Sequence, residues 1–114
     1  MIDLVLIDDD SLIHGTWKMM ARTKGHNLEC FKGLADFFEK KIPVTTPIYV
    51  DYHFNNGENG IELCKQLFTC GYQNLFIATG SIQSVPEKPD EIQAIVGKEY
   101  PLWLGRIDLG QVET

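Results

Sequence analysis

Short apolar runs alternate with stretches of helical periodicity along this chain, a pattern typical of a parallel sheet with helices between its strands. The first, third and fourth runs are almost entirely apolar, which indicates strands that are buried on both faces. The fifth run is the weakest. The runs predicted as strands are Leu4–Ile7, Leu28–Phe31, Ile48–Val50, Leu75–Ala78 and 95–96. The pattern therefore predicts an α/β fold.

Three segments between these runs carry apolar residues at the three- and four-residue spacing of helices that pack on a core. The predicted helices cover Ser11–Lys24, 34–41 and 61–70. Gly25 and Gly71 favour the end of the first and third helices, and Pro43 prevents a longer second helix. The residues expected to face the core are Ile13, Trp17, Met20, Leu34, Phe37, Phe38, Ile61, Cys64, Leu67 and Phe68. We interpret the aromatic members as core residues rather than as a cofactor site.

The last third of the chain has weaker signals. Pro86 and Pro89 interrupt the segment after the fourth strand, so a fourth helix there is predicted to be short, displaced or absent. Residues 101–114 contain Gly105 and Gly110 and lack a regular apolar spacing. We therefore expect a shortened or irregular fourth helix and an irregular C-terminal segment, in which a terminal helix has little support.

Composition narrows the classes of function. A chain of 114 residues suits a single domain over residues 1–114 without a separate effector domain. The net charge of -6, from 10 basic and 16 acidic residues with no Lys/Arg run, disfavours nucleic acid as a partner. No apolar run approaches the roughly 20 residues of a membrane span, and acidic residues follow the first run where a signal peptide would be apolar. We expect a cytoplasmic location and no membrane partner.

Cysteine and histidine usage predicts neither a disulfide framework nor a zinc site. The three cysteines, Cys30, Cys64 and Cys70, include no CxxC pair, and their odd number argues against a disulfide framework. The histidines are scattered and have no partner at zinc-ligand spacing. We interpret the cysteines as buried thiols in a reducing compartment.

Polar residues follow the predicted strands at their carboxyl ends, where open α/β sheets gather ligand-binding groups. They are Asp8 and Asp9 after the first strand, Asp51 after the third, Thr79 and Gly80 after the fourth, and Lys98 after the fifth. Because the carboxyl ends of parallel strands lie at one edge of a sheet, these side chains are predicted to converge. Each residue alone is a weak signal, and the specificity lies in their order and placement.

Three carboxylates in a small volume repel one another unless a cation balances them or their pKa values rise. Mg²⁺, or Mn²⁺ in its place, suits oxygen ligands and commonly shares its coordination with phosphate oxygens. Thr79 can donate a hydrogen bond to a phosphoryl oxygen, and Lys98 can neutralise another. Asp51 would then be the nucleophile that forms an aspartyl phosphate.

Four segments together resemble the receiver domain of two-component response regulators. They are LVLIDDD at 4–10, IYVDYHFNNGENGIEL at 48–63, FIATGS at 76–81 and IVGKEYP at 95–101. The resemblance spans nearly the whole chain. It implies a flavodoxin-like, three-layer fold with a five-stranded parallel sheet of order 2-1-3-4-5, and phosphotransfer to Asp51 from a histidine kinase or a histidine phosphotransfer protein.

The resemblance also implies roles for the residues at the strand ends. Asp8 and Asp9 match the family's metal-binding acidic pair, and Asp51 matches the phosphoacceptor, which also binds the metal. His53 lies where the family supplies a backbone carbonyl to the metal. The side chains of His53 and Ser81 lie where the family tunes dephosphorylation, although His53 is equally compatible with an exposed loop residue without a further role.

Three glycines also match the family pattern, and Asp10 is expected to have a separate role. Gly80 fits the small residue that leaves room for the phosphoryl group. Gly57 and Gly60 fit the loop before the third helix, where a residue without Cβ permits positive φ. Asp10 is expected to serve the N-terminus of the first helix rather than the metal.

Three departures from the family pattern affect the expected output. Only 18 residues separate Thr79 from Lys98, which is short for the family and agrees with a reduced fourth helix. Ile95 lies at the switch-aromatic position, where the family has Tyr or Phe, so signalling by rotation of an aromatic ring is not expected. The proline that usually follows the lysine is displaced to Pro101, which makes Tyr100-Pro101 the candidate for the family's cis peptide.

The sequence therefore favours a stand-alone receiver that acts on a downstream protein target as a monomer or weak dimer, and is not an enzyme on other substrates. One alternative is a pseudo-receiver, an interaction module that works without phosphorylation. The other is a small phosphatase with Asp51 as the nucleophile. Such enzymes usually have a second acid two residues after the nucleophile, where this chain has His53.

Overall fold

A computed structural model of the protein describes residues 1–101 and contains a five-stranded sheet in the order β2-β1-β3-β4-β5. All neighbouring strands are parallel. The strands are β1 (Leu4–Ile7), β2 (Leu28–Phe31), β3 (Ile48–Val50), β4 (Leu75–Ala78) and β5 (Ala94–Val96). The predicted fold class and the strand order implied by the resemblance are both confirmed.

The central strands bury both of their faces, as their continuous apolar runs predict. In β1, Val5 and Ile7 pack on the side of the second and third helices, whereas Leu4 and Leu6 pack on the side of the first helix. All residues of β1 and β3 are buried. This burial fixes the register of the two strands whose ends carry the acidic residues.

Helix α1 (Ser11–Lys24) has the predicted bounds. Asp10 caps its N-terminus by accepting a hydrogen bond from the Leu12 amide, which agrees with the role expected for Asp10. Gly25 ends the helix in the left-handed conformation, with φ of 73°. Trp17 is buried, but Met20 is exposed, because it lies at the edge of the buried face and the prediction placed it too far inward.

The other two helices, α2 (Leu34–Glu39) and α3 (Gly60–Thr69), lie on the opposite side of the sheet. Helix α2 ends before the predicted residue 41, where the backbone of Lys41 adopts a positive φ of 56°. Phe38 and Phe68 are 39% and 44% exposed, so their assignment to the core was wrong. In α3 the inward residues are Leu63, Cys64 and Leu67, at the spacing of one narrow stripe, and Ile61 and Phe68 lie at its edge.

No regular fourth helix forms between β4 and β5, as the two prolines predict. The segment contains a 3₁₀ turn (Ile82–Ser84) and then irregular chain. Ile92 is buried in the core on this side of the sheet, and the partly buried Val85 packs against the same core cluster. Apolar side chains of the irregular segment therefore contribute to the core without a helix. The Lys88 ammonium donates a hydrogen bond to the Ile92 carbonyl and holds the irregular chain in place.

The cysteines differ in burial, which corrects the expectation of three buried thiols. Cys64 is buried and Cys30 half-buried, but Cys70 is exposed because it follows the last inward position of α3. Burial raises the pKa of the Cys64 thiol to about 12. Burial also raises the pKa of Cys30, to about 11.

Two further expectations concern the C-terminal part. No cis peptide bond occurs within residues 1–101, so the Tyr100-Pro101 bond is trans and the family's cis peptide is not found at its candidate position. The irregular C-terminal segment lies, after Pro101, outside the described residues. In the described part of the chain, no helix has the length and apolar character needed to cross a membrane.

Candidate functional site

The carboxyl ends of β1 and β3 bring the acidic residues together. Ile7 pairs with Val50 in the parallel ladder, so the next residues, Asp8 and Asp51, leave the sheet side by side. Each of Asp8, Asp9 and Asp51 contributes one carboxylate oxygen to a cluster in which these atoms lie within 4.8 Å of one another. The sheet geometry therefore produces the convergence that the sequence predicts for these three residues.

Lys98 lies between two of these carboxylates. Its ammonium Nζ is 2.6 Å from Oδ2 of Asp8 and 2.9 Å from Oδ1 of Asp51. Asp8 is fully buried and Asp51 is 6% exposed, so both carboxylates have lost most of their hydration. A buried carboxylate needs a partner charge, and the single positive charge of Lys98 serves both Asp8 and Asp51.

The environment changes the acidity of this pair. Burial raises the pKa of Asp51, the Asp8 carboxylate raises it further, and the hydrogen bond from Lys98 offsets only part of the effect. Burial alone would lower the pKa of Lys98, but its hydrogen bonds to Asp8 and Asp51 outweigh burial and raise it. The Lys98 ammonium therefore keeps its charge. The ionised form of Asp51 is less favourable here than it is in water.

The loop after β3 contacts the acidic cluster through a backbone hydrogen bond. The backbone amide of Asn55 donates a hydrogen bond of 2.8 Å to Oδ2 of Asp9, which orients this carboxylate. At the other end of the loop, the Gly60 amide donates to the Tyr52 carbonyl at 2.8 Å. Gly57 adopts φ of 93°, the positive value expected for this loop.

Gly60 is required for a different reason from the one expected. It does not have a positive φ, but a Cβ on it would lie 2.2 Å from the carbonyl oxygen of Asp51. The start of α3 thus packs directly on the backbone of the candidate phosphoacceptor, and only glycine permits this approach.

The residues after β4 form the next part of the edge. Thr79 is buried, and its Oγ1 accepts a hydrogen bond of 3.2 Å from the Ser81 amide. A Cβ on Gly80 would meet no atom within 4 Å, so open space lies beside Thr79. The side chain of Ser81 is exposed.

Two other predicted residues lie outside the acidic cluster. His53 is exposed, and its backbone forms an isolated bridge with Asn59 across the loop. Its ring packs edge-on against Tyr52, with ring centroids 4.7 Å apart. Ile95 lies in β5 opposite Ile77 of β4 and is half-buried against the core.

Two residues of α1 contact the site and were not predicted to do so. A ring nitrogen of His14, which is buried, is hydrogen-bonded to the backbone carbonyl of Asp8. The indole Nε1–H of Trp17 donates a hydrogen bond of 2.9 Å to the carbonyl of Lys98. The sequence shows these residues three positions apart on one helix face, but gives no signal that pairs them with backbone atoms of other elements.

Three solved structures share the fold of this chain. The response regulator StyR matches 86% of this chain with a TM-score of 0.64 and 21% identity, and this chain spans about half of StyR, 52% of its length. The N-terminal domain of a response regulator/sensory box/GGDEF protein from Carboxydothermus hydrogenoformans has a TM-score of 0.65 and 15% identity, over 86% of this chain and 82% of that one. The receiver domain of the response regulator PhyR from Erythrobacter litoralis has a TM-score of 0.65 and 18% identity, over 88% and 81% of the two chains.

No protein-family model matches the sequence, and no curated protein is significantly similar to it. The three structural matches have less than a quarter of their residues identical to this chain, so the likeness is one of fold. The fold of the chain is that of response-regulator receiver domains.

Proposed function

We propose that this chain, with its receiver fold, accepts a phosphoryl group on Asp51 and transmits a signal by changing its contacts with another protein. The observation that carries the proposal is the cluster of three carboxylates within 4.8 Å, with the Lys98 ammonium against two of them. The proposed donor is a histidine kinase or a histidine phosphotransfer protein, and the proposed output is a downstream protein target.

Asp51 is the proposed nucleophile. One of its carboxylate oxygens attacks the phosphorus of the donor, a new O–P bond forms, and the bond from phosphorus to the donor breaks with its electron pair leaving on the donor. Lys98 offers its ammonium to a phosphoryl oxygen, and Thr79 offers its hydroxyl to another. The chain catalyses only its own phosphorylation and dephosphorylation in this scheme, with His53 and Ser81 as the residues that tune the loss of phosphate.

Asp8, Asp9 and Asp51 are the residues that would hold Mg²⁺ or Mn²⁺, with the backbone carbonyl of His53 as a further oxygen ligand. The donor set fits such a cation, because these ligands are oxygen atoms and the clustered carboxylates carry unbalanced negative charge. When bound, the cation neutralises charge on the phosphoryl oxygens. Lys98 alone cannot balance three carboxylates, which supports a second cation at this edge.

Output is proposed to follow from a shift in a loop equilibrium. A phosphoryl group on Asp51 would add contacts to Thr79 and Lys98 and favour the loop arrangement that makes them. The irregular segment after Thr79 is the surface most directly connected to this change. Ile95 has no aromatic ring to rotate, so the proposed relay does not use one.

Incorporation of phosphate from acetyl phosphate tests the proposal. Wild type, Asp51→Asn and Asp90→Asn are incubated with acetyl phosphate in Mg²⁺ or in EDTA and separated on a phosphate-affinity gel. Asp90 is an exposed aspartate before β5 and serves as the matched control. We expect an acid-stable, base-labile shift in wild type and Asp90→Asn with Mg²⁺, and none in Asp51→Asn. A shift that persists in Asp51→Asn would contradict the site.

The second candidate is an interaction module that works without phosphorylation. Two observations favour it: the 3₁₀ turn in place of a fourth helix, and an aliphatic Ile95 where the family has an aromatic switch. No phosphate incorporation in folded wild type would support this candidate. Partner binding that is equal in wild type and Asp51→Asn would support it further.

A further inference from the structure

The side chain of Trp17 connects α1 to the loop that carries Lys98. Its indole Nε1–H donates a hydrogen bond of 2.9 Å to the backbone carbonyl of Lys98, 81 residues away in the sequence. Trp17 is only 1% exposed, so the donor end of this part-buried hydrogen bond is shielded from water. The contact ties the main chain of Lys98 to a helix on one face of the sheet.

The orientation of the indole ring is fixed from two sides. Its edge-to-face contacts are to Tyr49 in β3, with ring centroids 5.5 Å apart, and to Tyr100 after β5, with centroids 5.3 Å apart. Such contacts favour one ring orientation over others. The indole N–H therefore has a defined direction, and it points at the Lys98 peptide.

The position of this peptide matters because the Lys98 side chain is long and flexible. Lysine has four rotatable side-chain bonds, and holding its ammonium at one point costs conformational entropy. Lys98 follows β5 in a stretch without regular secondary structure, where the sheet ladder does not fix its backbone. Its ammonium nevertheless lies within 2.9 Å of carboxylate oxygens of both Asp8 and Asp51. An anchored peptide limits where the ammonium can reach.

We propose that Trp17 is a positioning residue, whose indole N–H holds the Lys98 peptide so that the ammonium stays at the phosphoacceptor. This inference rests on the proposed function and adds a residue to it. It differs from a core role, because a core residue would act on stability alone and its effect would not depend on the Lys98 side chain.

The substitution Trp17→Phe tests the inference, since it keeps an aromatic ring between the two tyrosines and removes the N–H. The initial rate of phosphate incorporation from acetyl phosphate at saturating Mg²⁺ is expected to fall by about 10- to 100-fold, the usual effect of a misplaced catalytic group. The Mg²⁺ dissociation constant should stay within about twofold of wild type, because β1 and β3 hold the carboxylates. Tyr49→Phe removes a hydroxyl from the same aromatic cluster and should keep the wild-type rate.

A double-mutant cycle with Lys98→Gln separates positioning from a general structural effect. Because Trp17 acts through the lysine, Trp17→Phe should cause no further loss of rate in the Lys98→Gln background. Equal fold-losses in both backgrounds would overturn the inference, as would a wild-type rate in Trp17→Phe. Urea unfolding of every variant shows that the rates refer to folded protein.

An isosteric replacement covers the case in which Trp17→Phe does not fold. Site-specific incorporation of 3-benzothienylalanine at Trp17 keeps the size of the indole ring and loses only the N–H, and the same loss of rate is expected. If the wild type incorporates phosphate and the 3-benzothienylalanine variant does so at the wild-type rate, the positioning role of Trp17 is contradicted but the proposed function is not. A folded wild type that is not labelled would contradict the proposed function and, with it, the inference.

Discussion

Lys98 is the residue on which the electrostatics of the site depend. Its ammonium is shared between Asp8 and Asp51, which leave neighbouring strands and are both buried. The sequence predicts this role only from order, as a lysine that follows the fifth strand. The distances depend on the anchoring of its main chain, in which the structure implicates Trp17.

The raised pKa of Asp51 predicts a pH dependence of stability. Burial and the Asp8 carboxylate raise this pKa above its ordinary value of 3.8, against the opposing hydrogen bond from Lys98. The folded chain therefore holds the proton more tightly than the unfolded chain. The free energy of unfolding consequently falls as the pH rises from the ordinary value through the folded-state pKa.

Asp51→Asn removes this charge and should be more stable than wild type at about pH 7 in EDTA. The difference should shrink towards about pH 4, because the raised pKa favours uptake of a proton by Asp51 in the folded wild type as the pH falls. Urea titrations at both pH values measure it. Asp90→Asn, with an exposed carboxylate, should show no such gain. If Asp51→Asn exceeds wild type in the free energy of unfolding by the same amount at both pH values, the buried charge of Asp51 is not the cause of the gain.

At the scale of elements, the position of α3 depends on the close contact between its first residue and the backbone of Asp51. Gly60 approaches the Asp51 carbonyl so closely that a Cβ would lie 2.2 Å from its oxygen. The Asn59 side chain caps the same helix by accepting a hydrogen bond from the Glu62 amide. The cap and the close approach together hold the loop between β3 and α3 against the end of β3.

Two glycine-to-alanine substitutions are expected to have opposite effects. Gly60→Ala should lower the free energy of unfolding by about 1–3 kcal/mol, the usual cost of overpacking, and should weaken Mg²⁺ binding by moving the loop. Gly15→Ala lies within α1, where a Cβ meets no atom within 4 Å, and should raise stability by about 0.5–1 kcal/mol. Urea denaturation measures both. A neutral Gly60→Ala would show that α3 is free to move away from Asp51.

The elements themselves follow closely from the sequence. Continuous apolar runs locate the strands, and Gly25 ends α1 as predicted. The prediction of which residues face inward was less accurate for the short helices, because few apolar residues define the buried stripe. An error of one position then assigns an exposed residue such as Phe68 to the core. Pro86 and Pro89 correctly predicted the lack of a regular fourth helix.

At the scale of the whole molecule, the acidic site exists only when the sheet is assembled. Asp8 and Asp51 belong to different strands and meet because β1 and β3 pair in one register. A cation that binds the assembled cluster should therefore bind the folded chain in preference to the unfolded one.

Mg²⁺ is accordingly expected to stabilise the protein in a concentration-dependent way. At ten times its dissociation constant, the cation should raise the free energy of unfolding by about 1.4 kcal/mol. Asp9→Ala should need more Mg²⁺ for the same gain, because it removes a ligand charge from the cluster. Thermal unfolding across a Mg²⁺ titration measures both, with Asp90→Asn as the control. Identical titration curves for wild type and Asp9→Ala would contradict the assigned cluster.

The sequence by itself determined the strands, their burial, the lack of a regular fourth helix and the residue types at the strand ends, because these depend on local periodicity and turn chemistry. Tertiary structure alone decided the contacts between distant residues: the Lys98 ammonium on Asp8 and Asp51, the Asn55 amide on Asp9, and the indole of Trp17 on the Lys98 peptide. Such contacts depend on three-dimensional register and side-chain packing. No spacing along one chain encodes the direction in which a buried N–H points.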